Sequence, residues 1–134
     1  MNDHFATQYI GRKWVAFGRG PKAYDCWGLV MEILAVHYGI IIGDTVVDGS
    51  NTRARVRAFL NARETQMADW LEVQYPGDGD VVLMSNKHDV PTHCGIYLSA
   101  MGGGILHCEE GVGVIFTKAT DTRWPRLAYY RYKK

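Results

Sequence analysis

The sequence changes character at Pro76, and this change limits the folds that the chain can adopt. Before Pro76, apolar residues recur at helical spacing; after it, short segments rich in β-branched and aromatic residues alternate with Gly, Asp, Asn or Pro. The predicted strands are Val81–Met84, Cys94–Leu98, Gly104–Cys108, Val112–Thr117 and Leu127–Tyr132. Helices followed by an antiparallel sheet form the α+β pattern, which is the fold class we predict.

The first part of the chain contains three helix candidates. The strongest covers residues 26–38, where Asp25 is placed to cap the first turn and Gly39 to end the last one. Residues 51–66 form a second candidate with an arginine-rich face, which we interpret as a solvated helix surface. Residues 3–10 predict a short first helix, and the glycine-rich residues 11–25 predict a loop that leads to Cys26.

Length and charge exclude several classes of protein. The chain has 134 residues, which predicts a single domain over 1–134, and a net charge of +1, which argues against nucleic acid or an anionic membrane as partner. Its apolar runs are far shorter than the roughly 18 residues of a membrane span, so we expect no membrane insertion. The first ten residues lack the pattern of a signal peptide, so we expect a chain made in the cytoplasm.

Three cysteines compete as candidates for chemistry. Cys26 begins a predicted helix, where unpaired N–H groups and the helix dipole stabilise a thiolate, and a thiolate is a nucleophile at neutral pH. Cys94 and Cys108 lie inside predicted strands, where a cysteine is usually a small buried apolar residue. The odd number predicts at least one free thiol, and Cys26 is the one that we expect to be reactive.

The turn Ser99–Gly103 predicts a hairpin whose register can be worked out from the sequence. A turn centred near Met101 puts Cys94 opposite Cys108, and it puts His93 and His107 on the other face as diagonal neighbours, about 7–8 Å apart between Cα atoms. A histidine there could accept the proton of a thiol, and a second polar group could orient it. Two alternatives stay open: a Cys94–Cys108 disulfide, and a zinc site, which the alternation of the four side chains disfavours.

Four segments of the chain together form a recognisable pattern. They are, in order, Tyr24-Asp25-Cys26-Trp27-Gly28-Leu29-Val30, Pro76-Gly77-Asp78-Gly79-Asp80-Val81-Val82-Leu83, His93-Cys94-Gly95-Ile96-Tyr97-Leu98 and Leu106-His107. This set resembles the NlpC/P60 family of papain-like cysteine peptidases, many of which act on cell-wall peptides. The resemblance implies a papain-like fold with N-terminal helices packed on an antiparallel sheet of about five strands. It covers about Tyr9 to Tyr132.

The resemblance also assigns roles to residues. It implies that Cys26 is the nucleophile, His93 the general base and His107 the residue that orients it, with the backbone N–H of Cys26 in the oxyanion hole. Asp25 would help hold the free amino end of a peptide, and it also caps the helix. Tyr24 would line the pocket or donate to the oxyanion. The substrate implied is a peptidoglycan stem peptide, and no metal or organic cofactor is required.

One departure concerns Trp27, where secreted members of the family usually have serine. The Asp25-Cys26-Trp27-Gly28 form, with Tyr9-Ile10-Gly11 and Trp14 before it, is similar to the version found in phage and prophage tail proteins. The side chain of Trp27 would either change the shape of a substrate subsite or pack in the core as an ordinary aromatic residue. We therefore expect a tail-associated cell-wall hydrolase with phage tail proteins as partners, located in the virion tail and acting at the cell wall. The alternative is a structural tail-tip component with an idle site, and acyl transfer ranks below both.

Overall fold

Two helices precede the main sheet in the computed structural model, which describes residues 4–42, 70–85, 92–121 and 123–133. Helix α1 is Ala6–Tyr9 and helix α2 is Cys26–Tyr38. The predicted helix over 51–66 lies outside the described residues. Within the described ranges, no helix is both long and apolar enough to cross a membrane.

Helix α2 has the ends that the sequence predicts. The Asp25 carboxylate accepts a hydrogen bond from the backbone N–H of Gly28 at 2.7 Å, which satisfies one of the unpaired donors of the first turn. Gly39 follows the last turn with φ of 68°, a left-handed conformation that glycine adopts without a Cβ penalty. The predicted bounds and both caps of this helix are confirmed.

The main sheet has six strands, and every neighbouring pair is antiparallel. Its order is β3-β8-β4-β5-β6-β7, and its strands are β3 (Trp70–Val73), β4 (Val81–Met84), β5 (His93–Leu98), β6 (Gly104–Glu109), β7 (Gly113–Lys118) and β8 (Arg126–Tyr132). All five predicted strands are present within a residue or so of their predicted ends. The additional strand is β3, which pairs with β8 at one edge of the sheet.

A second, two-stranded sheet lies in the segment that the sequence predicts as a loop. Strands β1 (Lys13–Trp14) and β2 (Ala23–Tyr24) pair in parallel just before α2. Each of these strands has only two residues, which is too short to show an alternating pattern. The neighbouring glycines therefore lead to the prediction of a loop.

The hairpin of β5 and β6 has the predicted register. Ile96 lies opposite Leu106 and Leu98 opposite Gly104, with a short 3₁₀ helix, Ala100–Gly102, in the turn. Because side chains alternate along a strand, Cys94 and Cys108 share one face of the sheet and His93 and His107 the other.

Each face of the sheet packs against its own apolar cluster. Helix α2 covers β5 and β6 on the face that carries the two strand cysteines, and the larger core lies there. The opposite face carries a smaller cluster formed by Val82, Met84 and Ile105, against which Tyr97, Trp124 and Tyr129 pack. The histidine pair therefore lies on the face with the smaller cluster.

Glycine at position 28 is required by a close approach between α2 and the preceding loop. A Cβ at Gly28 would lie 2.0 Å from the carbonyl oxygen of Gly18, which also accepts the backbone N–H of Asp25. We expect Gly28→Ala to lower the free energy of unfolding by about 3 kcal/mol, because helix and loop must separate. Urea denaturation followed by circular dichroism measures this.

Gly39→Ala is the matched control for this substitution. No atom lies within 4 Å of a Cβ at Gly39, so the only penalty is the left-handed backbone, about 1 kcal/mol. Equal stability of the two variants would contradict the argument from close approach.

Candidate active site

The two histidines of the hairpin form a hydrogen-bonded pair. Nε2 of His93 lies 2.8 Å from Nδ1 of His107, and both residues are buried. The strand register places the two residues on one face of the sheet as diagonal neighbours. Their imidazole rings are long enough for the two nitrogen atoms to come within hydrogen-bonding distance. The predicted pairing of His93 with His107 is thus present in the structure.

Thr117 extends this pair to a chain of three side chains. Its Oγ1 lies 2.7 Å from Nε2 of His107, so both ring nitrogens of His107 have a partner. Burial, reinforced by the positive charges of Arg123 and Arg126, lowers the pKa of His107 to about 4. His107 is therefore neutral at neutral pH.

A neutral His107 can hold His93 in the tautomer that a general base needs. If Nε2 of His107 donates its proton to Thr117, then Nδ1 of His107 accepts the Nε2–H of His93. In this arrangement Nδ1 of His93 carries no proton and could accept one. The charged imidazolium of His93 would keep the same hydrogen bond, because His107 remains an acceptor.

Thr117 is a functional candidate that the sequence analysis missed. Ile105 lies opposite Thr117 in the pairing of β6 with β7, so Thr117 is a diagonal neighbour of His107 on the same face. The register argument that places His93 beside His107 would have found Thr117 if it had been extended to the next predicted strand.

Cys26 lies at the first residue of α2, in the larger core beside Cys94 and Cys108. Its thiol is close enough to Cys94 to contribute to the raised pKa of that thiol. Burial raises the pKa of Cys94 well above its ordinary value and that of Cys108 to about 12, so both strand cysteines are thiols rather than thiolates. All three cysteines are free, which overturns the disulfide alternative for Cys94 and Cys108 in this structure.

The described neighbours of Cys26 differ from those of His93. Cys26 packs into the core that includes Cys94, whereas the His93 ring stacks on Trp124 beside the smaller cluster, with ring centroids 4.4 Å apart. The structure thus joins His93 to His107 directly and places Cys26 next to Cys94. A direct contact of the Cys26 thiol with His93 stays a prediction.

The three residues predicted to bind substrate are all buried around the start of α2. Asp25 pairs with the Arg19 guanidinium at 2.8 Å in addition to capping the helix. Trp27 lies in the larger core, which agrees with its interpretation as a core aromatic. Their predicted contacts with a substrate stay predictions.

Tyr24 has its hydroxyl engaged inside the protein. It donates to Glu32 at 2.6 Å and accepts from Arg12 at 2.8 Å. Burial and the neighbouring Glu32 raise the pKa of Tyr24. To donate to an oxyanion, as the resemblance implies, this hydroxyl would have to leave Glu32.

The zinc alternative has no support in the part of the chain that the structure describes. There, no group of three or more His, Cys, Asp or Glu residues is placed to hold a metal ion. The reason is the alternation of β5 and β6, which directs the two histidines and the two cysteines to opposite faces.

Comparison with known proteins identifies the family. Residues 11–130 match the NlpC/P60 family, so the chain belongs to it. No curated protein matches the sequence.

The fold is similar to that of several solved structures, and the share of each chain that the match covers differs among three of them. NlpC2 from Trichomonas vaginalis is 18% identical with a TM-score of 0.65, and the match covers 96% of this chain and 44% of that one. A lipoprotein-like NLP/P60 protein from Staphylococcus aureus is 20% identical with a TM-score of 0.62, covering 96% and 39%. The NlpC/p60 domain of the peptidoglycan hydrolase SagA is 21% identical with a TM-score of 0.58, covering 93% and 90%.

These similarities establish the fold. The chain spans less than half the length of the Trichomonas and Staphylococcus proteins, and nearly all of the SagA domain. The predicted α+β, papain-like architecture of the NlpC/P60 type is therefore confirmed.

The burial of neutral His107 predicts a pH dependence of stability. The unfolded chain binds a proton at this histidine near its ordinary pKa of 6.5, whereas the folded protein does so only near 4. Between these two values the unfolded state binds more protons, so the contribution of His107 is complete above about pH 7 and is lost as the pH falls. The loss reaches about 3 kcal/mol at pH 4.

His107→Gln isolates this contribution from that of other titrating groups. We expect the variant to lose less unfolding free energy than the native protein between pH 7 and pH 4. Urea denaturation at a series of pH values measures the difference. Parallel pH profiles for the two proteins would mean that His107 is not held neutral by the fold.

Proposed function

We propose that this chain is a cysteine peptidase that hydrolyses an amide bond in a peptidoglycan stem peptide. The observation that carries the proposal is the buried His93–His107 pair, which lies at the sheet covered by a helix that begins with Cys26. Membership of the NlpC/P60 family supports the same chemistry. The substrate class is supported by the likeness to SagA, which is described as a peptidoglycan hydrolase.

The proposed reaction has two steps. His93 takes the thiol proton of Cys26 through Nδ1, and the thiolate attacks the carbonyl carbon; the C–N bond then breaks and His93 protonates the leaving amine. In the second step His93 removes a proton from water, which hydrolyses the thioester and restores the thiol. His107 accepts the Nε2–H of His93 throughout, and the backbone N–H of Cys26 stabilises the oxyanion.

This reaction requires the thiol of Cys26 to reach Nδ1 of His93. Cys26 is buried, with only 4% of the residue exposed, and this burial is the observation that favours the second candidate. That candidate is a structural component of a phage tail tip whose peptidase site is idle. The two proposals differ in whether the native protein cleaves peptidoglycan.

Purified peptidoglycan incubated with the native protein tests the first proposal. We expect new amino termini, detected by mass spectrometry after labelling of free amines. Cys26→Ala and His93→Gln should each lower the rate by about 10³-fold or more, because each removes a group that forms or breaks bonds.

Cys108→Ala is the matched control, because it is the same substitution at a buried cysteine of the core. It should retain cleavage once its stability has been checked by thermal unfolding. Cleavage that persists in Cys26→Ala would refute the proposed nucleophile. No cleavage by the folded native protein on walls of several chemotypes would favour the idle site.

We further propose that the protein acts as part of a phage or prophage tail, located in the virion and delivered to the cell wall. The support is the resemblance of Asp25-Cys26-Trp27-Gly28 and Tyr9-Ile10-Gly11 to tail-associated members of the family. Mass spectrometry of purified tail particles should find the chain at a fixed ratio to known tail proteins. Its absence from particles of a host that produces it would count against this location.

A further inference from the structure

Trp124 lies against the face of the His93 ring. The two ring centroids are 4.4 Å apart and the planes differ by 29°, which is a stacked arrangement. His107 meets the same imidazole at an angle of 78°. The imidazole of His93 is therefore held on one flat face by the indole and at its Nε2 edge by His107.

Glu109 fixes the indole in turn. The Nε1–H of Trp124 donates to Oε1 of Glu109 at 2.5 Å. Glu109 follows His107 by two residues in β6, so its side chain points to the same face of the sheet. The carboxylate thus lies on the same strand as His107, which is the hydrogen-bond partner of His93.

The backbone around Trp124 is anchored as well. The carbonyl of Pro125 accepts the N–H of Ser85 at the end of β4, at 2.9 Å. Arg126 donates to the carbonyl of Asp121 at 2.6 Å and to that of Lys118 at 3.1 Å, which closes the connection between β7 and β8. The indole is therefore hydrogen-bonded to β6 through Glu109, and the residues that follow it are bonded to Ser85, after β4, and to Lys118 in β7.

We propose that Trp124, held by Glu109, is a positioning residue for His93: it fixes the plane of the imidazole and keeps water from the His93–His107 hydrogen bond. The proposal rests on the role of His93 as general base given above. Nothing in the sequence motif singles out Trp124, which lies 31 positions beyond His93. It reaches the site only because β8 lies beside β4 in the sheet.

The physical argument has two parts. Rotation of the imidazole about the Cβ–Cγ bond of His93 would change the direction of Nδ1, and the stacked indole opposes this rotation. A hydrogen bond shielded from water is also electrostatically stronger than one that water competes for. Both effects act on His93 without any contact between Trp124 and the substrate.

The test uses the proton shared by His93 and His107, observed by NMR in protein with ¹⁵N-labelled histidine. In the native protein we expect a downfield ring N–H signal that exchanges slowly with water. In Trp124→Leu we expect exchange at least about tenfold faster, or loss of the signal, because water reaches the bond. Glu109→Ala, which frees the indole, should give a smaller increase.

Activity provides the second readout. With peptidoglycan fragments as substrate, Trp124→Leu should lower kcat by about tenfold and leave KM nearly unchanged, because positioning of the base matters in the chemical step. Trp124→Phe, which keeps a ring for stacking but lacks the N–H, should recover much of the loss.

Trp70→Leu is the matched control, since Trp70 is also packed against an aromatic ring, that of Tyr132 at 5.3 Å, away from the histidines. It should change stability and leave the N–H signal as in the native protein. If Trp124→Leu or, should that variant not fold, Glu109→Ala shows the native exchange rate, the proposal is overturned. The NMR readout needs no turnover, so an inactive native protein would refute the proposed function and leave this test intact.

Discussion

The register between β5 and β6 determines what each face of the sheet can do. One pairing, Ile96 opposite Leu106, sends cysteines toward α2 and histidines toward the other face. A shift of this pairing by one residue would place His93 and His107 on opposite faces of the sheet and separate the pair. The apolar residues of β5 that pack under α2 oppose such a shift, so the hydrophobic core holds the histidine pair in place although it lies on the opposite face.

Several of the polar side chains buried in this fold are hydrogen-bonded to other groups of the protein. His93, His107 and Thr117 form one chain, and Asp25 accepts from Arg19 and from the backbone of Gly28. A buried polar atom without a partner costs free energy, so each of these residues limits what its neighbours can be. The neutral state of His107 follows from the same burial that makes its hydrogen bonds effective.

Much of this arrangement follows from local sequence rules. The bounds of α2, its Asp25 cap and five strands could be predicted because each leaves a periodic pattern and a capping or turn residue nearby. Strand β3 could not, because Leu71 and Glu72 are both exposed and the segment lacks alternation. In the site, the histidine pair could be predicted from the register of one hairpin. The place of Trp124 beside His93 could not, because it depends on how strands distant in sequence pair. The surroundings of Cys26 could not either, because they depend on packing in the core that includes Cys94.

The order of strands in the sheet differs from their order in the chain, and this affects the route by which the protein forms. Strand β8 is made after β3 to β7, yet it takes a place between β3 and β4. During synthesis, one edge of β4 therefore stays unpaired until β8 has been made. Trp124 directly precedes β8 in the chain, so it is made at nearly the same time. Pairings between segments so far apart in sequence slow folding. The imidazole of His93 accordingly gains its stacking partner Trp124 only when the sheet is completed.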